Sequence, residues 1–226
     1  MLNEILFLFQ IILICLATLG FTILGKEALT GFIGLLFVMA NIFVIKEIDL
    51  FGWTVTSADI FIIGISFSSN LLQEFWGKIY AQRAVWISFA LSMFYLIIGL
   101  CIIGYVPSSA DTAHASLAFI MKNTSRIIIA SFISYLATQF IDIQLYAYLK
   151  EKTNGKFFTL RNYFSLCVSQ LIDTILFSFL GLWGNVSSIS DIIIVSYGVK
   201  LLTILFMSPF LILAKKIISK YINTHN

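Results

Sequence analysis

Charge is scarce in this chain. Only 11% of its 226 residues are Asp, Glu, Lys or Arg, against about a quarter in an ordinary soluble domain. With 60% of residues hydrophobic and 22 of them Phe, the chain lacks the polar groups to cover a water-facing surface, which excludes a soluble globular fold. Histidine is nearly missing: His114 and His225 are the two present. A metal centre would have to rest on carboxylates, so no metal and no cofactor is expected. Cys15, Cys101 and Cys167 fall in three separate apolar runs with no C-x-x-C pair, which argues against a disulfide framework and against a zinc site. No glycine-rich phosphate loop is present, so hydrolysis of a nucleotide by this chain is not expected. A formal charge of +3 is too small to draw nucleic acid, and no nucleic-acid partner is expected.

What the chain does have is long apolar runs. Seven of them, near 5–24, 28–45, 57–76, 84–106, 126–149, 164–184 and 191–214, approach the roughly 20 helical residues that cross a bilayer. Barrel strands would alternate with period two, and these runs do not. The expected architecture is therefore an all-α integral membrane protein of about seven transmembrane helices, one domain over 1–226, with the lipid bilayer as solvent. The first run is expected to be retained, since Glu4 stands where a signal peptide carries Lys or Arg and no small-residue cleavage site follows Leu24.

The cations set the orientation. With seven spans, one set of loops holds Lys26, Lys78, Arg83, Lys150, Lys152, Lys156, Arg161, Lys215, Lys216 and Lys220. The other holds Lys46, Lys122 and Arg126, and Lys200 lies inside the last run. Positive charge accumulates on the cytoplasmic side, so the N-terminus is expected outside and the C-terminus in the cytoplasm of a plasma or inner-membrane protein. The longest loop, about 107–125, carries Ser109 and Asp111 as candidate caps for a short interfacial helix. Asn154-Gly155 marks a turn in a cytoplasmic loop, and Trp53 reads as an interfacial belt residue.

Against this background the polar residues within the runs stand out. Gln139 and Asp142 form a Q-x-x-D pair in the fifth run, and Gln170 and Asp173 repeat it in the sixth. Thr138 and Ser169 take the same place before each pair. Asn70 and Glu74 are four apart in the third, and Lys200 is in the seventh. Residues three or four apart share a helix face, so each group can aim at one point. A carboxyl at mid-span costs roughly 2.5–3.5 kcal/mol on insertion scales, which makes a repeated pair a candidate site.

Each residue also has a structural reading. Asp173 and Lys200 can be a simple ion pair, the glutamines can be interhelical glue, and Glu74 and Asp59, near span ends, can face water. As a set, the carboxylates accept paired N–H donors while Gln, Asn and Lys donate to a carbonyl, which suits a guanine-like edge. Phe75, Trp76, Phe140 and Phe177 offer ring faces for stacking. A cationic amine or a proton relay fits this pattern too, and an intramembrane enzyme using Asp142 and Asp173 as an acid pair is a further alternative. No nucleophile or metal-ligand set stands beside those two carboxylates, so no catalytic residue is assigned.

Several segments carry a resemblance: "GKEALTG" (25–31), "ANIFVIKEIDLFG" (40–52), "SSNLLQEFWGKIYAQRAVW" (68–86), "RIIIASFISYLATQFID" (126–142), "LRNYFSLCVSQLIDTILFSFLGLWG" (160–184) and the stretch from Lys200 to Pro209. Together they resemble the queuosine precursor transporter family, also called the vitamin uptake transporters. The resemblance implies a bundle like the six-helix substrate-binding subunits of energy-coupling-factor transporters, with one extra N-terminal helix. It implies import of 7-deazaguanine bases, the cyano and aminomethyl precursors (preQ0 and preQ1) or queuine, with Asn70, Glu74, Gln139, Asp142, Gln170 and Asp173 on the base and Lys200 balancing charge or contacting the carbonyl. Asn41, in the second segment, joins the candidate set with Phe140 and Trp76. Family members commonly show Thr-Asp where this chain has Ser69-Asn70, a loss of negative charge that favours an uncharged or bulkier ligand. A vitamin-type binding subunit served by a separate ATPase module is the alternative within transport. A homodimer and an energy-coupling partner both remain open.

Overall fold

The computed structural model describes residues 2–121, 125–183 and 189–225. Lys122 of the external charge count and Gly184 at the end of the sixth expected span lie outside them. Among the described residues seven helices reach 18 residues or more: α1 (Leu2–Leu24), α2 (Lys26–Phe43), α3 (Asp59–Trp76), α4 (Lys78–Gly104), α6 (Ser125–Lys152), α7 (Phe158–Phe177) and α8 (Ile189–His225). At 1.5 Å per residue even the shortest is roughly 27 Å long, close to the thickness of a hydrocarbon core. They occupy the positions of the seven apolar runs, and the protein is an all-α membrane protein with one small β-element. Helices satisfy every backbone group internally, which is what a lipid environment demands.

Among the described residues α1, α2, α4 and the continuous segment Phe158–Gly181 are apolar enough to cross a bilayer by length and composition alone. α3 is not one of them, and its place explains why. It touches α1, α2, α4, α6, α7 and α8, and from Asp59 to Gln73 every residue but Ile62 is buried. A helix wrapped in protein needs no lipid-facing stripe, so Ser66, Ser68, Ser69, Asn70 and Gln73 replace the expected apolar residues. Its small residues let neighbours close in. A Cβ on Gly64 would sit 2.8 Å from Ile14 Cγ2 of α1 and 3.4 Å from Leu36 Cδ1 of α2.

Several boundaries differ from the sequence expectation. The fourth and sixth spans start earlier, at Lys78 and Phe158, because the chain turns sharply at Gly77 (φ 98°) and at Phe157 (φ 55°). A π-helical turn, Ser178–Leu182, extends α7. The segment read as a plain loop between the second and third spans folds instead into a hairpin, β1 (Glu47–Leu50) antiparallel to β2 (Trp53–Thr56). Its two turn residues, Phe51 and Gly52, both have positive φ (51° and 86°), the geometry of the tight turn that matches strand twist. α1 holds the hairpin down: the Asn3 side chain donates to the Asp49 carbonyl at 2.9 Å, and the Phe7 and Phe51 rings meet edge to face at 6.5 Å.

The long loop does contain a short helix, α5 (His114–Met121), and Asp111 is its cap. The Asp111 carboxylate accepts from the Ala113 and His114 amides at 2.8 and 3.1 Å. At the other end of the molecule Asn154 and Gly155 form the expected turn, both at positive φ.

Candidate functional site

The site is built on three helices whose polar residues recur every third or fourth position. On α3 the stripe runs Ser66, Asn70, Glu74; on α6 it passes Tyr135, Gln139, Asp142 and Tyr146; on α7 it runs Arg161, Ser165, Ser169, Asp173, with Asn162, Gln170 and Thr174 alongside. That spacing stacks each set along one helix face. α3 packs against both α6 and α7, and those two pack on each other, so the stripes merge into a polar column. It descends in four layers.

The first layer floors a cavity of about 600 Å³ that is walled by the β1–β2 hairpin, α2, α6, α7 and α8. Asp59, Ser134, Asp173, Thr174 and Lys200 all line it. The Lys200 ammonium donates to Asp173 Oδ2 at 2.7 Å and to Thr174 Oγ1 at 3.1 Å, and stands 3.8 Å from Asp59 Oδ1. Two carboxylates thus share one cation. From the sequence Asp59 could face water at a span end; in the fold it is 8% exposed and completes this group.

One helical turn deeper, Gln139 and Gln170 converge. Both amide nitrogens donate to Ser66 Oγ, at 2.9 and 3.3 Å, although the two glutamines come from different helices. The repeated Q-x-x-D spacing therefore does bring its two amides to one atom. The third layer holds Asp142, which accepts a hydrogen bond from the Ser165 hydroxyl through Oδ1, and Asn70, whose amide donates to Asn162 Oδ1 at 3.4 Å.

The fourth layer lies at the end opposite the cavity. Glu74 takes hydrogen bonds or ion pairs from Tyr146 at 3.0 Å, Lys150 at 2.9 Å and Arg161 at 3.3 Å. Arg161 is 2% exposed and also donates to the carbonyls of Lys156 and Gly155, at 2.9 and 3.2 Å. It was counted from the sequence as a loop cation; in the fold it ties the 153–157 turn and α7 to α3.

From the floor down to this network runs a set of buried polar atoms with no hydrogen-bond partner: Ser134 Oγ at the floor, then Thr138 Oγ1, Gln139 Oε1, Gln170 Oε1, Asp142 Oδ2, Ser69 Oγ, Asn70 Oδ1 and Asn162 Nδ2. A buried polar atom without a partner costs about 1–3 kcal/mol. Acceptors outnumber donors in this set, so it is complementary to a molecule rich in N–H groups.

The other predicted residues lie outside the column. Asn41 donates to Ser92 Oγ at 3.0 Å and accepts from Ser131 at 3.1 Å, and Ser131 in turn lines the cavity. Phe140 packs its ring on Trp86 of α4 at 5.6 Å, and Trp76 meets Phe75 at 6.0 Å; neither is a lining residue of the cavity. Phe177 and Trp53 are. Ser66, Ser165 and Asn162 were missed by the sequence reading. The four-residue steps from Ser66 to Asn70 and from Ser165 through Ser169 to Asp173 were the signal that would have found Ser66 and Ser165.

A buried polar column beneath an open cavity, inside a helical membrane bundle, is an arrangement that can hold a small polar molecule within the membrane. Residues 56–214 match the family model described as "Putative vitamin uptake transporter", and the chain belongs to that family. It is 29% identical, over 220 residues and 96% of each chain, to a protein of Bacillus subtilis (strain 168) named "Probable queuosine precursor transporter". No solved structure matches the chain. Family and fold together make it a multi-pass membrane transporter of a small molecule.

Proposed function

We propose that this transporter imports queuosine precursors, planar bases of the 7-deazaguanine type such as preQ0, preQ1 or queuine. The observation that carries the reading is the run of buried, unpartnered acceptors below the cavity, headed by Gln139 Oε1, Gln170 Oε1 and Asp142 Oδ2. The base edge with its ring N–H and exocyclic amine supplies the matching donors, and the Asn162 amide and the Lys200 ammonium supply donors for its carbonyl. A cavity of about 600 Å³ lies within the usual range for small-molecule sites. The name of the Bacillus relative supports the same substrate class.

The test is uptake of a labelled precursor into vesicles containing only this protein. Accumulation under an imposed gradient is expected, since buried Asp and Lys are candidate proton-relay groups. Binding without accumulation under every gradient tried would replace autonomous transport with a subunit that needs an ATPase partner.

The cation distribution supports a topology with the cavity, the hairpin and the N-terminus outside and the Glu74 end in the cytoplasm. Reporter fusions after Asn223 are expected to read cytoplasmic and fusions in the 107–125 loop external; the same side for both would sink this topology. In this arrangement the cavity is the external entrance, and the Glu74–Arg161–Lys150 network closes the exit between α3, α6 and α7. Glu74→Gln weakens two ion pairs at once. A cysteine replacing Ser69 is then expected to react several-fold faster with a reagent applied from the cytoplasmic side; an unchanged rate would remove the network from the closing mechanism.

A further inference from the structure

Ser66 sits on the central helix α3, is fully buried, and receives both glutamine amides. Both amide nitrogens point at Ser66 in the structure, and hydrogen-bond counting rules out the arrangement in which both oxygens do. A hydroxyl has one hydrogen and two lone pairs. It can accept from two N–H groups, but it can donate to only one carbonyl. Two amide oxygens turned toward Ser66 would leave one of them facing oxygen without a proton between. With both nitrogens turned toward it, Ser66 Oγ satisfies both, and both amide oxygens are directed elsewhere. Those oxygens, Gln139 Oε1 and Gln170 Oε1, are buried and have no partner. Ile62, Tyr135 and Thr174, each four residues from Ser66, Gln139 and Gln170 on the same helices, are close to or part of the cavity wall, with Ile62, Tyr135 and Thr174 all lining it. The paired oxygens therefore stand one helical turn beneath the cavity floor.

We propose that Ser66 is a positioning residue that sets substrate specificity: it holds Gln139 and Gln170 with both carbonyl oxygens free, so that the site selects bases carrying adjacent N–H donors and rejects those lacking the exocyclic amine. This rests on the proposed function and names the feature of the substrate that is read. A site built to accept N–H groups discriminates strongly because an analogue without them leaves the acceptors buried and unpaired. Without the Ser66 acceptor the two amides are free to turn. Either amide can then present N–H instead of C=O, and the preference for a donor-rich edge falls.

The test compares dissociation constants for 7-deazaguanine and for 7-deazahypoxanthine, which lacks the exocyclic amine. They are measured on the wild type, Ser66→Ala and Ser66→Cys, together with thermal unfolding of each protein without ligand. The wild type is expected to prefer 7-deazaguanine by about tenfold or more. In both variants that ratio is expected to fall to within about threefold, almost entirely through weaker 7-deazaguanine binding, with 7-deazahypoxanthine changed less than about twofold. Ser66→Cys leaves no cavity and offers only a weak acceptor, so it carries the comparison if Ser66→Ala does not accumulate. A retained ratio, or an equal loss for both bases, would overturn the inference and leave the proposed function standing. A wild type that binds neither base would overturn both.

Discussion

Asp59→Asn combined with Asp173→Asn is expected to destabilise the folded protein by about 3–5 kcal/mol, because it strands the Lys200 ammonium in the interior. Either change alone is expected to be much milder. Lys200 lies 2.7 Å from Asp173 and 3.8 Å from Asp59, so the remaining carboxylate keeps the cation paired. Thr174 Oγ1, at 3.1 Å, cannot replace a negative charge. Lys200→Met added to the double variant removes the stranded cation and is expected to restore the amount of folded protein, read as thermal stability in detergent. Transport is expected to stay lost in the triple variant, because the cavity floor then has no charged group to meet the substrate. Recovery of full transport would show that the three residues are a structural ion cluster and would withdraw Asp173 and Lys200 from the site. Stability unchanged in the double variant would mean that water reaches Lys200 freely.

The sequence carried the architecture because lipid imposes a simple rule on it. Long apolar runs must be helices, and their number follows from counting. Local signals were equally legible: Asp111 as a cap and Asn154-Gly155 as a turn depend on neighbours a few residues away. The β1–β2 hairpin was hidden because its turn is Phe51-Gly52 and not an Asn-Gly or Asp-Gly pair. α3 carries Asp59, Asn70 and Glu74 in its sequence and is also the central helix, and the two facts have one cause: its polar residues face protein.

The candidate site was legible only as far as helical periodicity reaches. Gln139 with Asp142, and Gln170 with Asp173, share faces by spacing alone, and the fold does bring the two amides together on Ser66. Which carboxylate meets which cation is a tertiary matter. Asp59 and Lys200 are 141 residues apart in the chain (200 − 59), and nothing local to either announces the other. Arg161 reads as one more cytoplasmic charge until the packing of α3 on α7 buries it against Glu74.

Asp142→Asn is expected to weaken binding of a 7-deazaguanine base by about 1.5–3 kcal/mol, the value of hydrogen bonds to a charged group, or roughly 10- to 150-fold in Kd. The variant is expected to fold. Asp142 is completely buried, and among the described residues no cation contacts it; Oδ1 accepts from Ser165, and an Asn oxygen accepts that bond equally well. An amide carries none of the desolvation cost of a buried carboxylate with no cation beside it, so stability is expected to hold or rise. The loss must then come from Oδ2, which has no partner in the fold and which an Asn replaces with a donor. A donor facing the N–H edge of the base repels it, whereas the same donor would favour an analogue that presents an acceptor there. Binding measured by calorimetry on wild type and variant, alongside thermal unfolding of both, separates the two roles. Unchanged affinity with altered stability would place Asp142 in the scaffold through its bond to Ser165. Weakened affinity in a protein of equal or greater stability is the result expected of a group held buried and unpaired for a ligand.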